Sequence, residues 1–201
     1  MNSIGRIFRV SIFGESHGPG LGVLIDGVPA GMPLAEADFS PDLERRRGGA
    51  PGTTPRREAD RPRLGIGLRD GRCPGAPLEI RFDNRDCRSG DYHRFRDLPR
   101  PGHADYTAGV KFGGHADDRG GGHFSGRLTL GLVAAGVVAR KLIAPLRISA
   151  RLLQAGGSVD IAAAVERAAR ERDSLGGLVE CRAEAVPAGL GEPFFDSLES
   201  L

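Results

Sequence analysis

Lysine is almost missing from this 201-residue chain: Lys111 and Lys141 are the only two among 28 basic residues, so the other 26 are arginines. Such a bias follows from a genome-wide codon preference as readily as from selection for the bidentate guanidinium fork that oxyanions favour. Tryptophan is absent and aromatics make up 5% of residues. With no rings interleaved along a basic stripe and a formal net charge of only +2, the composition argues against a nucleic-acid or membrane-surface partner. The three cysteines, Cys73, Cys87 and Cys181, form an odd, widely spaced set without a Cys-x-x-Cys pair. That pattern indicates neither a disulfide framework nor a zinc site, and it fits a reducing cytoplasm. No apolar run approaches the roughly 20 residues needed to cross a bilayer. Arg6 and Arg9 interrupt the N-terminal apolar pieces, unlike a secretory leader. The expectation is a soluble, cytoplasmic globular protein, for which 39% hydrophobic content is adequate.

Glycine, by contrast, is abundant, and it gathers in one place. The stretch from Arg100 to Arg127, RPGHADYTAGVKFGGHADDRGGGHFSGR, packs His, Asp, Arg and Lys among glycines with little periodicity. Regular structure disfavours so many glycines, each costing about 1 kcal/mol relative to Ala inside a helix. Their use is close backbone approach. Gly120, Gly121 and Gly122 are expected to turn N–H groups toward an anion just before Ser125 opens a long apolar run.

Before that stretch, Phe8 to Phe13 alternates as a strand does and delivers Gly14, Glu15, Ser16 and His17 at its end, so His17 is a candidate site residue. Val23 to Ile25 reads as a second strand. Ser40 and Pro41 open a short helix closed by Arg45, Arg46 and Arg47, which either complement its dipole or face an anion. Gly48 to Pro55 reads as a loop, and the dense charges Arg56, Arg57, Glu58, Asp60, Arg61 and Arg63 as mostly solvated. Leu64 to Arg69 and Leu78 to Phe82 suggest a hairpin, and Asp83 to Arg100 a long excursion.

Gly126 to Leu146 predicts a helix apolar nearly all round, hence buried between layers. Arg147 to Gln154 and Leu178 to Val186 read as strands. Between them Ser158 is expected to cap an amphipathic helix bearing Ile161, Val165, Ala168 and Ala169 on one face.

The strings FGESHG (13–18), DGVPAGMPL (26–34), ERRR (44–47), RPGHADYT (100–107), DRGGG (118–122) and VPAGLGEPFFD (186–196) stand in the order and spacing of chorismate synthases, and the chain resembles that family along essentially its whole length. The resemblance implies an α+β fold with long helices sandwiched between antiparallel sheets, here a single domain over residues 1–201 carrying the first part of that architecture and truncated at the C-terminus. It also implies a lyase that converts 5-enolpyruvylshikimate 3-phosphate to chorismate and phosphate. Reduced FMN is the implied cofactor, NADPH a possible reductant, the partner a small phosphorylated substrate, and the assembly a homotetramer.

By the same resemblance His17 is a proton donor beside the substrate phosphate and His103 contacts the reduced flavin. Arg46 falls on an NADP or anion contact, and Ser125 and Arg127 on the flavin segment together with His123 and Phe124. His123, Phe124, Gly126 and Leu128 depart from the family's usual residues, and the Phe124 ring is expected to obstruct approach to the flavin. The alternatives are a truncated relative without turnover and an oxyanion- or FMN-binding module without chemistry.

Overall fold

The computed structural model describes residues 2–190 apart from 55, 88, 89, 91, 93, 94 and 96. The fold is α+β, and the chain divides into two compact units, residues 1–47 with 58–137 and residues 48–57 with 138–201.

The first unit is built on a five-stranded antiparallel sheet of β1 (Ser3–Ile4), β2 (Arg9–Gly14), β3 (Gly20–Asp26), β4 (Arg63–Leu64) and β5 (Leu78–Asp83), in the order β1-β2-β3-β5-β4. Side chains alternate across a strand, so register decides which residues share a face. Val10 opposes Ile25, which opposes Leu78; Ile12 opposes Val23, which opposes Ile80; Leu21 opposes Phe82. Apart from the partly covered Ile12, these residues are buried and form the core face. The intervening positions, Ser11, Phe13, Glu79 and Arg81, lie on the other, partly exposed face. The hairpin expected after Arg63 is present as the β4–β5 pair.

Helix α1 (Ser40–Arg46) follows a 3-10 turn at Glu36–Phe39 and buries Phe39 and Leu43. Pro41 sits in its first turn as expected. Ser40, however, is inside the helix: the turn before it is closed by Asp38, whose Oδ2 accepts from the Ala35 N–H at 2.8 Å. Helix α2 (Asp105–Lys111) lies inside the stretch that shows no sequence period. At two turns, with Ala108 its only buried residue, it is too short to display one.

Helix α3 (Thr129–Leu142) begins in the first unit, where Leu130 and Ala134 are fully buried. Gly131 faces the sheet closely: a Cβ there would lie 3.1 Å from the Gly22 carbonyl oxygen and 3.3 Å from Ile12 Cγ2. Burial on all sides does not hold, because Leu132 is 45% exposed. An all-apolar helix carries no record of which side is covered.

In the second unit β6 (Arg147–Ala155) and β7 (Gly177–Glu184) form an antiparallel ribbon with an irregularity between Leu152 and Gln154. Helix α4 (Ile161–Glu171) connects them. Its cap is Asp160 rather than Ser158: Asp160 Oδ1 accepts from Ala163 N at 3.1 Å, and Ser158 Oγ accepts from Asp160 N at 3.1 Å. The serine thus holds the cap one step removed. Gly52 packs against Val165 so closely that a Cβ there would overlap it.

Replacing Gly131 with leucine is expected to lower stability by about 1–3 kcal/mol through overpacking against Gly22 and Ile12. Chemical denaturation of G131L checks this; an unchanged midpoint would show that the contact of α3 with the sheet is loose.

Candidate active site

His17 lies in the turn that joins β2 to β3, with Ser16 and His17 both buried. The turn leaves β2 through Gly14 at φ +94°, where a Cβ would collide with the backbone at Gly20 and Leu21. Only glycine meets both demands.

The triple glycine folds onto this turn from more than one hundred residues away in sequence. Gly120, Gly121 and Gly122 all adopt positive φ, at +59°, +82° and +52°. Ser16 N donates to the Gly122 carbonyl at 3.1 Å. A Cβ on Gly120 would overlap His17 Cδ2 and lie 2.7 Å from Nε2, so backbone rests directly against the imidazole. The glycines, expected to turn N–H groups toward an anion, here bring backbone against His17 itself.

Beneath the turn lies a group of buried charges. Glu58, Asp60 and Arg127 are each less than 10% exposed. Arg127 meets Asp60 as an ion pair at 3.0 Å without hydrogen-bond alignment, stands 3.9 Å from Glu58, and donates through Nε to Asn84 Oδ1 at 2.7 Å. Glu58 in turn accepts the backbone N–H groups of Arg85 and Asp86 at 3.0–3.2 Å. Asn84 Nδ2 donates to the carbonyls of Glu15 at 2.9 Å and Gly18 at 3.0 Å, which bracket His17.

The run read as mostly solvated therefore contains two buried acids. Arg57, Arg61 and Arg63 are exposed while Glu58, Asp60 and Pro62 are buried, the period of extended chain. That alternation was the available signal. Asn84 offered none, being a neutral residue just past a strand.

Arg46 reaches the same region. One terminal nitrogen points to the carbonyls of Gly126 and Arg127 and to Thr129 Oγ1 at 3.2–3.3 Å, and the other stands 3.8 Å from Asp60. Burial lowers its pKa below the usual guanidinium value; Asp60 opposes that effect and the like charge of Arg127 adds to it.

The wall beside His17 is aromatic. The Tyr92 ring lies 4.7 Å from the imidazole, tilted by 55°. Arg100 stacks over Tyr92 at 5.6 Å and Phe95 at 4.8 Å, and grips Asp105 through Nε and a terminal nitrogen at 2.8 and 2.9 Å. Those hydrogen bonds hold the Asp105 carboxyl below its ordinary 3.8, with burial opposing them and the charge of His103 a minor aid. His103 itself is exposed, its Nδ1 donating to the Pro101 carbonyl at 3.0 Å. His17 and His103 are thus linked through Tyr92, Arg100 and Asp105. A second pair, Asp117 and Arg119, forms two 2.8 Å bonds that pull the Asp117 pKa down, with the His17 charge contributing.

Past the glycines, the Ser125 hydroxyl accepts from Arg127 N at 3.3 Å. Phe124 is 44% exposed and stacks on His123 with 4.0 Å between ring centroids, next to Phe112. The ring does not wedge into the glycine backbone. Nearby, a cleft of about 620 Å³ opens along the sheet between Glu15, Pro19, Arg63 and Arg81. Among the described residues no group of three or more His, Cys, Asp or Glu could hold a metal ion, and no helix is long and apolar enough to cross a membrane.

Comparison with known proteins bears on what this arrangement serves. The chorismate synthase family model matches residues 8–201. The chain belongs to the chorismate synthase family. A chorismate synthase of Chitinophaga pinensis is 56% identical over 201 residues, all of this chain and 60% of that relative. One of Aeropyrum pernix is 44% identical, covering 100% of this chain and 61% of the relative. A crystal structure of chorismate synthase superposes with a TM-score of 0.70 at 24% identity, over 93% of this chain and 60% of the other, and supports the fold. This chain therefore spans about 60% of the length of the family members it matches.

Two outcomes follow from the geometry. Gly120→Ala is expected to cost about 1–2 kcal/mol from the left-handed backbone alone. It should also shift the His17 imidazole resonance; a stable variant with that signal in place would show that the contact is not tight. For Asp105, a depressed folded pKa means that its stabilising contribution is complete above 3.8 and is lost as pH falls through the lower folded value. The stability gap between the parent and Asp105→Asn should therefore be level at neutral pH and close only in acid below 3.8, as followed by urea unfolding at stepped pH.

Proposed function

We propose that the chain performs the chorismate synthase reaction, loss of phosphate and a proton from 5-enolpyruvylshikimate 3-phosphate to give chorismate. The observation that carries this reading is the contact of His17 with Gly120, which joins the two most distinctive motifs of the sequence at one buried imidazole. His17 gives a proton to the departing phosphate; imidazole, with an ordinary pKa of about 6.5, does so near neutral pH without a large shift. Tyr92 and the glycine backbone restrict water around the ring. His103, held on the Arg100–Asp105 anchor, exchanges a proton at the cofactor side of the site.

The residues suit a flat cofactor, since His123 and Phe124 form a stacked pair of rings of which Phe124 is exposed. In this reading these rings and Ser125 hold reduced FMN, while Arg127 and Arg46 fix the segment that carries them. Reduced FMN, when bound, supplies the electron density that this redox-neutral elimination requires. The same reading makes NADPH or another reductant the source of reduced flavin, a homotetramer the assembly and the cytoplasm the compartment.

One observation favours a second reading: the positive-φ backbone of Gly120, Gly121 and Gly122 suits a member that binds FMN or oxyanions without turnover. Anaerobic addition of reduced FMN and 5-enolpyruvylshikimate 3-phosphate separates the two. The lyase reading predicts stoichiometric phosphate and chorismate, reduced about 10²–10⁴-fold in His17→Ala, the usual range for a positioned acid. FMN binding without phosphate release from a folded sample would establish the second reading instead.

A further inference from the structure

Asn84 is a neutral side chain wired into the buried charges, and its bonds run in two directions. Its Oδ1 accepts from Arg127 at 2.7 Å, on the segment that follows the triple glycine. Its Nδ2 gives one hydrogen to the Glu15 carbonyl at 2.9 Å and the other to the Gly18 carbonyl at 3.0 Å, one on each side of Ser16 and His17. Its backbone N–H donates to the Pro19 carbonyl at 3.1 Å. Glu58 holds the next two backbone N–H groups, so the residue cannot slide along its strand end. An amide is the side chain of this length that both accepts from a guanidinium and donates twice to carbonyls. A carboxylate in its place keeps the first function and loses the second.

We infer that Asn84 is the positioning residue of the His17 turn, coupling its placement to the segment of Arg127. A second tie, Ser16 N to the Gly122 carbonyl, joins the same two segments. Whatever seats residues 120–127 therefore also seats the imidazole. The inference rests on the lyase reading for its effect on turnover, and on geometry alone for its effect on the turn.

Asn84→Ala removes both ends of the coupling, and Asn84→Asp keeps the acceptor for Arg127 while abolishing the donors. In both variants hydrogen exchange of the amides at 15–18 should rise at least about tenfold with β3 and β5 amides unchanged, as in local rather than global opening. The His17 imidazole signal, assigned by its loss in His17→Ala, should move. Turnover should fall about 100-fold in kcat with KM within about threefold, the signature of a displaced group rather than lost binding. Parent-like exchange at 15–18 together with an unmoved His17 signal would overturn the inference. So would unfolding of both variants, which would make Asn84 a residue of the fold at large. A parent chain that releases no phosphate, yet shows the freed turn in both variants, would defeat the lyase reading and leave this one standing.

Discussion

A guanidinium withdrawn from water needs partners in fixed places, and Arg127 finds them in two segments far apart in sequence. Asp60 lies after the loop that follows α1, Asn84 at the end of β5, and Glu58 two residues before Asp60. Charges this buried are costly unless paired, and breaking such a group by removing one partner typically costs about 3–5 kcal/mol. Any arrangement of the first unit that leaves Arg127 or Asp60 alone is correspondingly disfavoured. Asp60 even adopts φ +47°, unusual for a residue with a side chain, and stays there because the ion pair holds it.

The site inherits its order from that group. The carbonyls on either side of His17 are held by Asn84, which Arg127 holds in turn. On the opposite side the glycine backbone leaves no room for the ring to move toward it. The imidazole is thus held between the Asn84-anchored turn and the glycine backbone. Asp117, bonded to Arg119, is the nearby acid whose pKa the His17 charge influences, and its strong partner keeps it ionised as a standing counter-charge.

How much of this was readable in advance depended on whether a residue's role leaves a local period. β2, β3, β5, β6 and β7 alternate, and α3 and α4 carry long apolar or amphipathic runs, so their existence followed from pattern alone. The caps moved because α1 is entered from a 3-10 turn with Phe39 rather than Ser40 at its N-cap, and because Ser158 and Asp160 both carry oxygens able to accept from an N-terminus, so spacing does not choose between them. Helix α2 stayed hidden because its order comes from Arg100 gripping Asp105 rather than from an apolar stripe. In the site, His17 and the glycines announced themselves through composition. Glu58 and Asp60 looked like surface charge, and Asn84 like nothing in particular, since what they do lies in partners brought together only by the sheet.

The scarcity of lysine takes on a different meaning at these positions than along the surface. Exposed pairs such as Arg63–Asp83 or Arg170–Glu166 would work about as well with lysine, since exposed ion pairs contribute at most about 1 kcal/mol and ask little of geometry. Arg127 and Arg46 are a different case. Each presents separate nitrogens to separate acceptors: Asn84 and Asp60 for the first, backbone carbonyls and Asp60 for the second. A lysine ammonium at either place, a compact point charge, would lack the planar fork that faces both at once. On the outside the two cations are nearly interchangeable; beneath His17 the shape of the guanidinium lets one side chain face both segments.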